Sequence, residues 1–111
     1  MESRRQKKIA NILKQDLASI FQQESKVLFG GAFITVTHVR VTSDLSFAKV
    51  YLSILGNDAE STLLLVKSQS KEIRYSIAQK VKNQMRKVPD FQFYIDDSLD
   101  YYENIDRLLK E

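Results

Sequence analysis

Val39-Arg40-Val41-Thr42-Ser43-Asp44-Leu45-Ser46-Phe47-Ala48-Lys49-Val50-Tyr51 reads as strand, short turn, strand. In the second strand Ala48, Val50, Leu52 and Ile54 alternate with Phe47, Lys49, Tyr51 and Ser53, a period of two that buries one face and opens the other. Ser43 and Asp44 supply side-chain acceptors that close the turn on their own backbone. The open face carries Lys49 between Phe47 and Tyr51, a cation among aromatics.

Upstream, after Gly30-Gly31, Phe33 to Thr42 forms the first strand, and its pattern slips phase: Ile34 and Val36 share one face, Val39 and Val41 the other. A bulge near Thr37-His38 reconciles the two halves. So does a regular strand with Thr35 and Thr37 turned inward, and the pattern alone does not choose. Further upstream, Ser3-Arg4-Arg5-Gln6 has the spacing of a capping box. Ile9, Ile12, Leu13, Leu17, Ile20 and Phe21 then fall on one helical stripe, to about Gln23. Arg4, Arg5, Lys7, Lys8 and Lys14 populate the first half of this helix. Basic charge there opposes the helix dipole, so stability alone does not account for it.

Downstream, Asn57-Asp58-Ala59-Glu60 is a second capping box, opening a short helix that holds Leu63 and Val66. A longer helix follows from about Ser70 to Lys87. Ile73, Ile77, Ala78, Val81 and Met85 line its buried side, and Lys71, Tyr75, Lys82 and Arg86 its outer side. Arg74 sits at the edge of the buried stripe, a packed stem with a snorkelling or paired head. Pro89 stops the helix. Phe91, Phe93 and Ile95 alternate with Gln92, Tyr94 and Asp96 in a third strand. Asp97-Ser98 caps an acidic segment in which Leu99, Tyr102, Ile105 and Leu109 keep helical spacing. The order is helix, strand, strand, helix, helix, strand, then an acidic tail. These helices can cover only one face of a small three-stranded sheet, which makes the fold two-layer α+β.

The 111 residues suit one domain, here 1–97, followed by an acidic helical or flexible tail, 98–111. Residues 1–89 carry 15 Lys and Arg against 7 Asp and Glu, a net of +8; residues 90–111 carry 2 against 7, a net of −5. A basic body suggests a polyanionic partner. The absence of Cys excludes disulfides and thiolate catalysis. The single His, His38, lies mid-strand, where a surface or cross-strand role is the common one. No Gly-rich loop opens a helix after a strand, and Asp96, Asp97 and Asp100 lack the ligand count of a calcium loop. A non-enzyme without metal or cofactor is expected. No apolar run approaches the roughly 20 residues of a membrane span, and the charged N-terminus leads into no signal-peptide core. A cytoplasmic monomer away from membranes is the expectation. Lys82 and Arg86, one helical turn apart beside Lys71 and Tyr75, place like charges together at a small cost, which an external anion explains.

The hairpin, together with Ile73-Arg74, Pro89-Asp90-Phe91-Gln92-Phe93 and Asp96-Asp97-Ser98, resembles the ribosome-binding factor A family. The similarity spans nearly the whole chain, in the right order. It implies a type II KH-like fold of helix-strand-strand-helix-helix-strand order. It also implies a bacterial assembly factor that binds the small ribosomal subunit through its rRNA, assists late rRNA maturation including 5′-end processing, and matters most in the cold. One departure concerns the family's small-residue-x-Gly kink before Ile-Arg, which here reads Gln69-Ser70-Lys71. Without Gly, a left-handed residue there is strained, and a softer kink with Ser70 as a cap is expected. Lys71, Lys82 and Arg86 are the expected RNA-phosphate contacts. Arg4, Arg5, Lys7 and Lys8 form a second cluster, and Arg40 and Lys49 on the sheet add to them. The rival reading is a protein-interaction module that uses the open sheet face and acidic tail without touching RNA.

Overall fold

The structure, a computed structural model, describes residues 2–55, 58–85 and 87–96. The acidic tail 98–111, with Asp97, lies outside the described residues, as do Asn57 and Arg86. The order is α1 (Arg4–Leu28), β1 (Phe33–Val41), β2 (Phe47–Leu55), α2 (Ala59–Ser68), α3 (Ser70–Val81) and β3 (Asp90–Ile95). β2 is central, antiparallel to β1 and parallel to β3. This is the expected α+β order with a three-stranded sheet.

The sheet has one dry face and one open face, as the alternation in β2 requires. Ala48, Val50, Leu52 and Ile54 are buried, with Phe91 and Phe93 from β3 beside them. Leu13, Leu17, Ile20 and Phe21 of α1 and Ile73, Ile77 and Val81 of α3 complete the core. β1 resolves its phase slip by a bulge: the pairing with β2 shifts between Val36 and His38. Ile34, Val36, Val39 and Val41 can therefore all face inward, and Thr35 stays outside. Thr37, the extra residue, donates its hydroxyl to Asp96 and to the Tyr51 carbonyl (3.2 Å). The regular strand with inward threonines is thereby excluded.

The first capping box forms as its spacing predicts. The Ser3 amide donates to Gln6 Oε1 (2.8 Å) and the Gln6 amide to Ser3 Oγ (3.1 Å). Gln6 is itself buried, and its Nε2 donates to the Val41 carbonyl at 2.9 Å, tying the start of α1 to the end of β1. α1 runs five residues past the expected Gln23, to Leu28. Gln, Glu and Lys sustain a helix until Gly30 and Gly31, both at positive φ (63° and 82°), turn the chain.

Three further expectations are corrected. The α2 cap is Asp58, which accepts from the Ser61 amide at 3.2 Å, one residue later than the Asn57–Glu60 box. The hydroxyl and amide of Ser61 also hold the Asp58 carboxyl below its ordinary range. α3 ends at Val81 rather than Lys87, and the Gln84 and Met85 amides close a turn on the Val81 carbonyl. Pro89 therefore does not stop the helix; it is buried at the entry to β3. Val88 and Pro89 are placed by Arg74, which donates to the Val88 and Pro89 carbonyls (2.8 and 3.4 Å) and pairs with Asp90 (3.2 Å). The chain must turn back before residue 87 so that Asp90 can pair beside Phe47. Finally, Ser70 caps nothing. Gln69 occupies the α2–α3 junction at φ −97°, ψ 10°, without a side-chain cap, so the junction is right-handed and needs no glycine.

The β1–β2 turn is built around Asp44. Its Oδ1 accepts from the Thr42 hydroxyl (2.8 Å), the Ser46 hydroxyl (2.7 Å) and the Ser46 amide (3.1 Å). Leu45 adopts φ 62°, a conformation that costs an L-residue about 1–2 kcal/mol. Packing of its side chain against the core, and its amide donating to the Thr42 carbonyl at 2.9 Å, offset that cost.

Two consequences are testable. Gln6→Ala removes a cap and leaves the buried Val41 carbonyl unpaired, so it should destabilise the fold by about 1–3 kcal/mol in urea denaturation. Gln6→Glu keeps the acceptor for Ser3 but sets a carboxylate oxygen against the buried Val41 carbonyl. It should be at least as destabilising as Gln6→Ala, and wild-type stability of both variants would show that the tie to β1 contributes nothing. For Asp44, the hydrogen bonds from the Ser46 hydroxyl first, and Thr42 next, lower the carboxyl from 3.8 to about 2. A depressed carboxyl stabilises the fold above its unfolded pKa, and that contribution is lost as pH falls through the folded pKa. The melting temperature of Asp44→Ala should thus lie below that of wild type at neutral pH. The gap should close between pH 3.8 and about 2, and a gap independent of pH would contradict the assignment.

Candidate nucleic-acid interface

The capping box sets where the basic residues of α1 point. Residues spaced three and four apart share a helix face, so Arg5, Lys8, Ile9 and Ile12 lie together. They form one wall of a groove of about 460 Å³. The opposite walls are Asp44 and Leu45 from the β1–β2 turn, and Gln84, Met85 and Lys87 from the segment between α3 and β3. The floor is apolar, from Ile9, Ile12, Leu45 and Met85, all of which pack against the core. The rim carries Arg5, Lys8 and Lys87, all exposed. Asp44 is the one carboxylate in the lining, and its Oδ1 is engaged within its own turn. Among the described residues, no ion pair neutralises the three rim cations. The first turn of α1 also holds no acid, so the positive end of the helix dipole adds to the same field.

The expected site residues are divided among several places. Arg5 and Lys8 enter the groove; Arg4 and Lys7 are exposed on α1 but do not line it. Lys71 is exposed in the first turn of α3, and Lys82 is the residue that ends it. They share a face but stand roughly 16 Å apart, at about 1.5 Å per residue. α3 stops at Val81, short of Arg86, which lies outside the described residues. Arg40 and Lys49 are paired across β1 and β2 on the open sheet face, away from the helices. Lys87 and Gln84 are additions that the sequence does not announce. The turn after Val81 aims them at α1, and no local pattern marks that turn.

Among the described residues, no cluster of His, Cys, Asp and Glu could hold a metal ion, and no helix is long and apolar enough to cross a membrane. His38 is exposed beside Tyr51, the cross-strand role its position suggests. Chemically, the groove offers delocalised and point cations over an apolar floor. That combination suits phosphates flanking an apolar or aromatic group.

Comparison with known proteins agrees with the fold. A family model described as ribosome-binding factor A matches residues 5–109. The ribosome-binding factor A of Cytophaga hutchinsonii is 43% identical over 112 residues, covering 100% of this chain and 84% of the relative. The crystal structure of ribosome-binding factor A from Thermus thermophilus superposes with a TM-score of 0.69 at 23% identity, covering 81% of this chain and 94% of that one, a likeness of fold. A homology model of Thermus thermophilus ribosome-binding factor A, fitted into a cryo-EM map of a 30S complex with that factor, gives a TM-score of 0.62 at 26% identity, covering 78% of this chain and 89% of that one. With the family model spanning nearly the whole of this basic, helix-covered sheet, the chain belongs to the ribosome-binding factor A family.

Proposed function

We propose that this protein binds the small ribosomal subunit through its rRNA and assists late maturation of that rRNA. It acts as a cytoplasmic monomer without catalysis, with its greatest effect in the cold. The observation that supports this most is the groove between α1, the β1–β2 turn and the segment before β3, with three exposed cations unneutralised by the described residues. The Thermus relative fitted into a 30S complex supplies the class of partner. Phosphate contacts from Arg5, Lys8 and Lys87 give affinity and register rather than sequence choice. Lys71, Lys82, Arg86, Arg4 and Lys7 are proposed to add to the same attractive field.

Co-sedimentation with isolated ribosomal subunits tests this. The chain should pellet with small subunits in preference to large subunits or intact ribosomes, and equal pelleting with all three would sink the proposal. The combined variant Arg5→Gln, Lys8→Gln, Lys87→Gln should melt like the parent, because all three side chains are exposed. It should bind small subunits more weakly. The slope of log affinity against log salt should become shallower by about 0.7–0.9 for each phosphate that the variant no longer neutralises. An unchanged slope would remove the groove from the interface.

A further inference from the structure

The open face of the sheet carries an arrangement that the groove does not account for. Register places His38 beside Tyr51, and Tyr51 beside Tyr94, in one row across all three strands. The His38 and Tyr51 ring centroids are 6.0 Å apart; Tyr51 and Tyr94 stack at 5.5 Å with 27° between their planes. The adjoining row is Arg40, Lys49 and Gln92. Tyr94 remains 40% exposed, and its hydroxyl donates to Gln92 Oε1 at 3.1 Å, linking the two rows.

An aromatic row stabilises a sheet by itself, so the rings alone argue for nothing more. The second row does. Arg40 and Lys49 stand directly opposite on neighbouring strands, where like charges are destabilising. Glu2 answers Arg40 at 3.3 Å, yet the Arg40 side chain stays 64% exposed. Among the described residues no carboxylate comes within ion-pair distance of Lys49. Asp90, at the end of the face beside Phe47, is taken by Arg74. Cations in a position that costs stability, next to an aromatic row that opens at Tyr94 on the edge strand, match the two chemical features of single-stranded nucleic acid.

We infer that the open sheet face holds a single-stranded RNA segment, with a base stacked on Tyr94, which Tyr51 backs from the central strand, and phosphates at Lys49 and Arg40. The inference rests on the RNA-binding reading above and adds a second contact of a different kind. The groove meets backbone charge, whereas the sheet selects unpaired bases, because a duplex hides the faces that stacking requires.

Binding of an unstructured RNA oligonucleotide, followed by tyrosine fluorescence in a chain without Trp, tests the inference. RNA should quench the emission. Tyr94→Leu should weaken binding about fivefold or more, the loss of one base–aromatic stack, and Tyr51→Leu, which removes the ring that backs Tyr94, should weaken it less. Tyr94→Phe should retain it, and Tyr75→Leu, on α3 and away from the sheet, should not matter. Lys49→Gln, an exposed change that leaves the rings in place, guards against misfolding of the Leu variants. It should weaken binding and make the salt slope shallower by about 0.7. Inorganic polyphosphate should compete poorly, having charge without bases. The inference is overturned if the oligonucleotide fails to bind, if the Leu variants and Lys49→Gln bind as wild type does, or if polyphosphate competes as well as RNA. Small-subunit co-sedimentation of wild type in parallel separates the two claims. Retention there with no oligonucleotide binding rejects the sheet platform alone, and absence of retention rejects the small-subunit reading on which it rests.

Discussion

The extra residue in β1 is the constraint on which the rest depends. Ile34 and Val36 are in phase with each other and out of phase with Val39 and Val41. A regular strand would expose one pair and could not lie flat under α1, since a slip of one residue reverses every side chain. The bulge after Val36 restores both pairs to the dry face. The same step puts His38 and Arg40 outward, in register with Tyr51 and Lys49. One inserted residue therefore decides both what the core contains and what the open face presents. Thr37 is held there by the Tyr51 carbonyl and by Asp96 at the end of β3, so the bulge also joins the three strands at one level.

On the helix side, two long-range ties shape the groove. Gln6 fastens the start of α1 to the end of β1, which orients Arg5 and Lys8 toward the β1–β2 turn. Arg74 fastens the segment before β3 to α3 through two carbonyls and a carboxylate, and this delivers Lys87 to the opposite rim. Leu45, in its left-handed conformation, closes the space between them. The cations on the rim lie on surfaces that gain no stability from them, whereas the polar residues that position the walls are buried or paired. The side chains that hold the fold are thus different from the rim cations, and the rim should change charge without loss of the fold.

Local pattern carries much of this and fails in a physically consistent way. The β2 alternation, the α1 stripe, the Ser3–Gln6 box and the phase slip in β1 are short-range features, and each corresponds to an observed element. The end of α3 is hidden in the sequence because Met85 continues the apolar period of Ile73, Ile77 and Val81. It reaches the core from a turn instead, and the carbonyl clamp that forces this turn comes from Arg74, more than ten residues away. The expected placing of Lys82 beside Arg86 rests on the longer helix, and Arg86 lies outside the described residues, while Gln84 and Lys87 enter the groove through the turn. Gln6 is legible as a cap but not as a buried partner of Val41, 35 residues distant. The aromatic row is invisible to local pattern for the same reason. His38, Tyr51 and Tyr94 become neighbours only when the register of all three strands is known.

The claim that the bulge residue alone reconciles core and open face is tested most directly by deleting it. Removal of Thr37 leaves Val36, His38 and Val39 in regular alternation, with every inward and outward assignment unchanged. Thermal melting of the Thr37 deletion should show a folded chain, less stable only by the hydrogen bonds to Tyr51 and Asp96, and it should still co-sediment with small subunits. Deletion of Thr35, two residues earlier, turns Ile34 outward and should abolish folding. Equal collapse of both deletions, or a folded Thr37 deletion that no longer binds, would contradict the account.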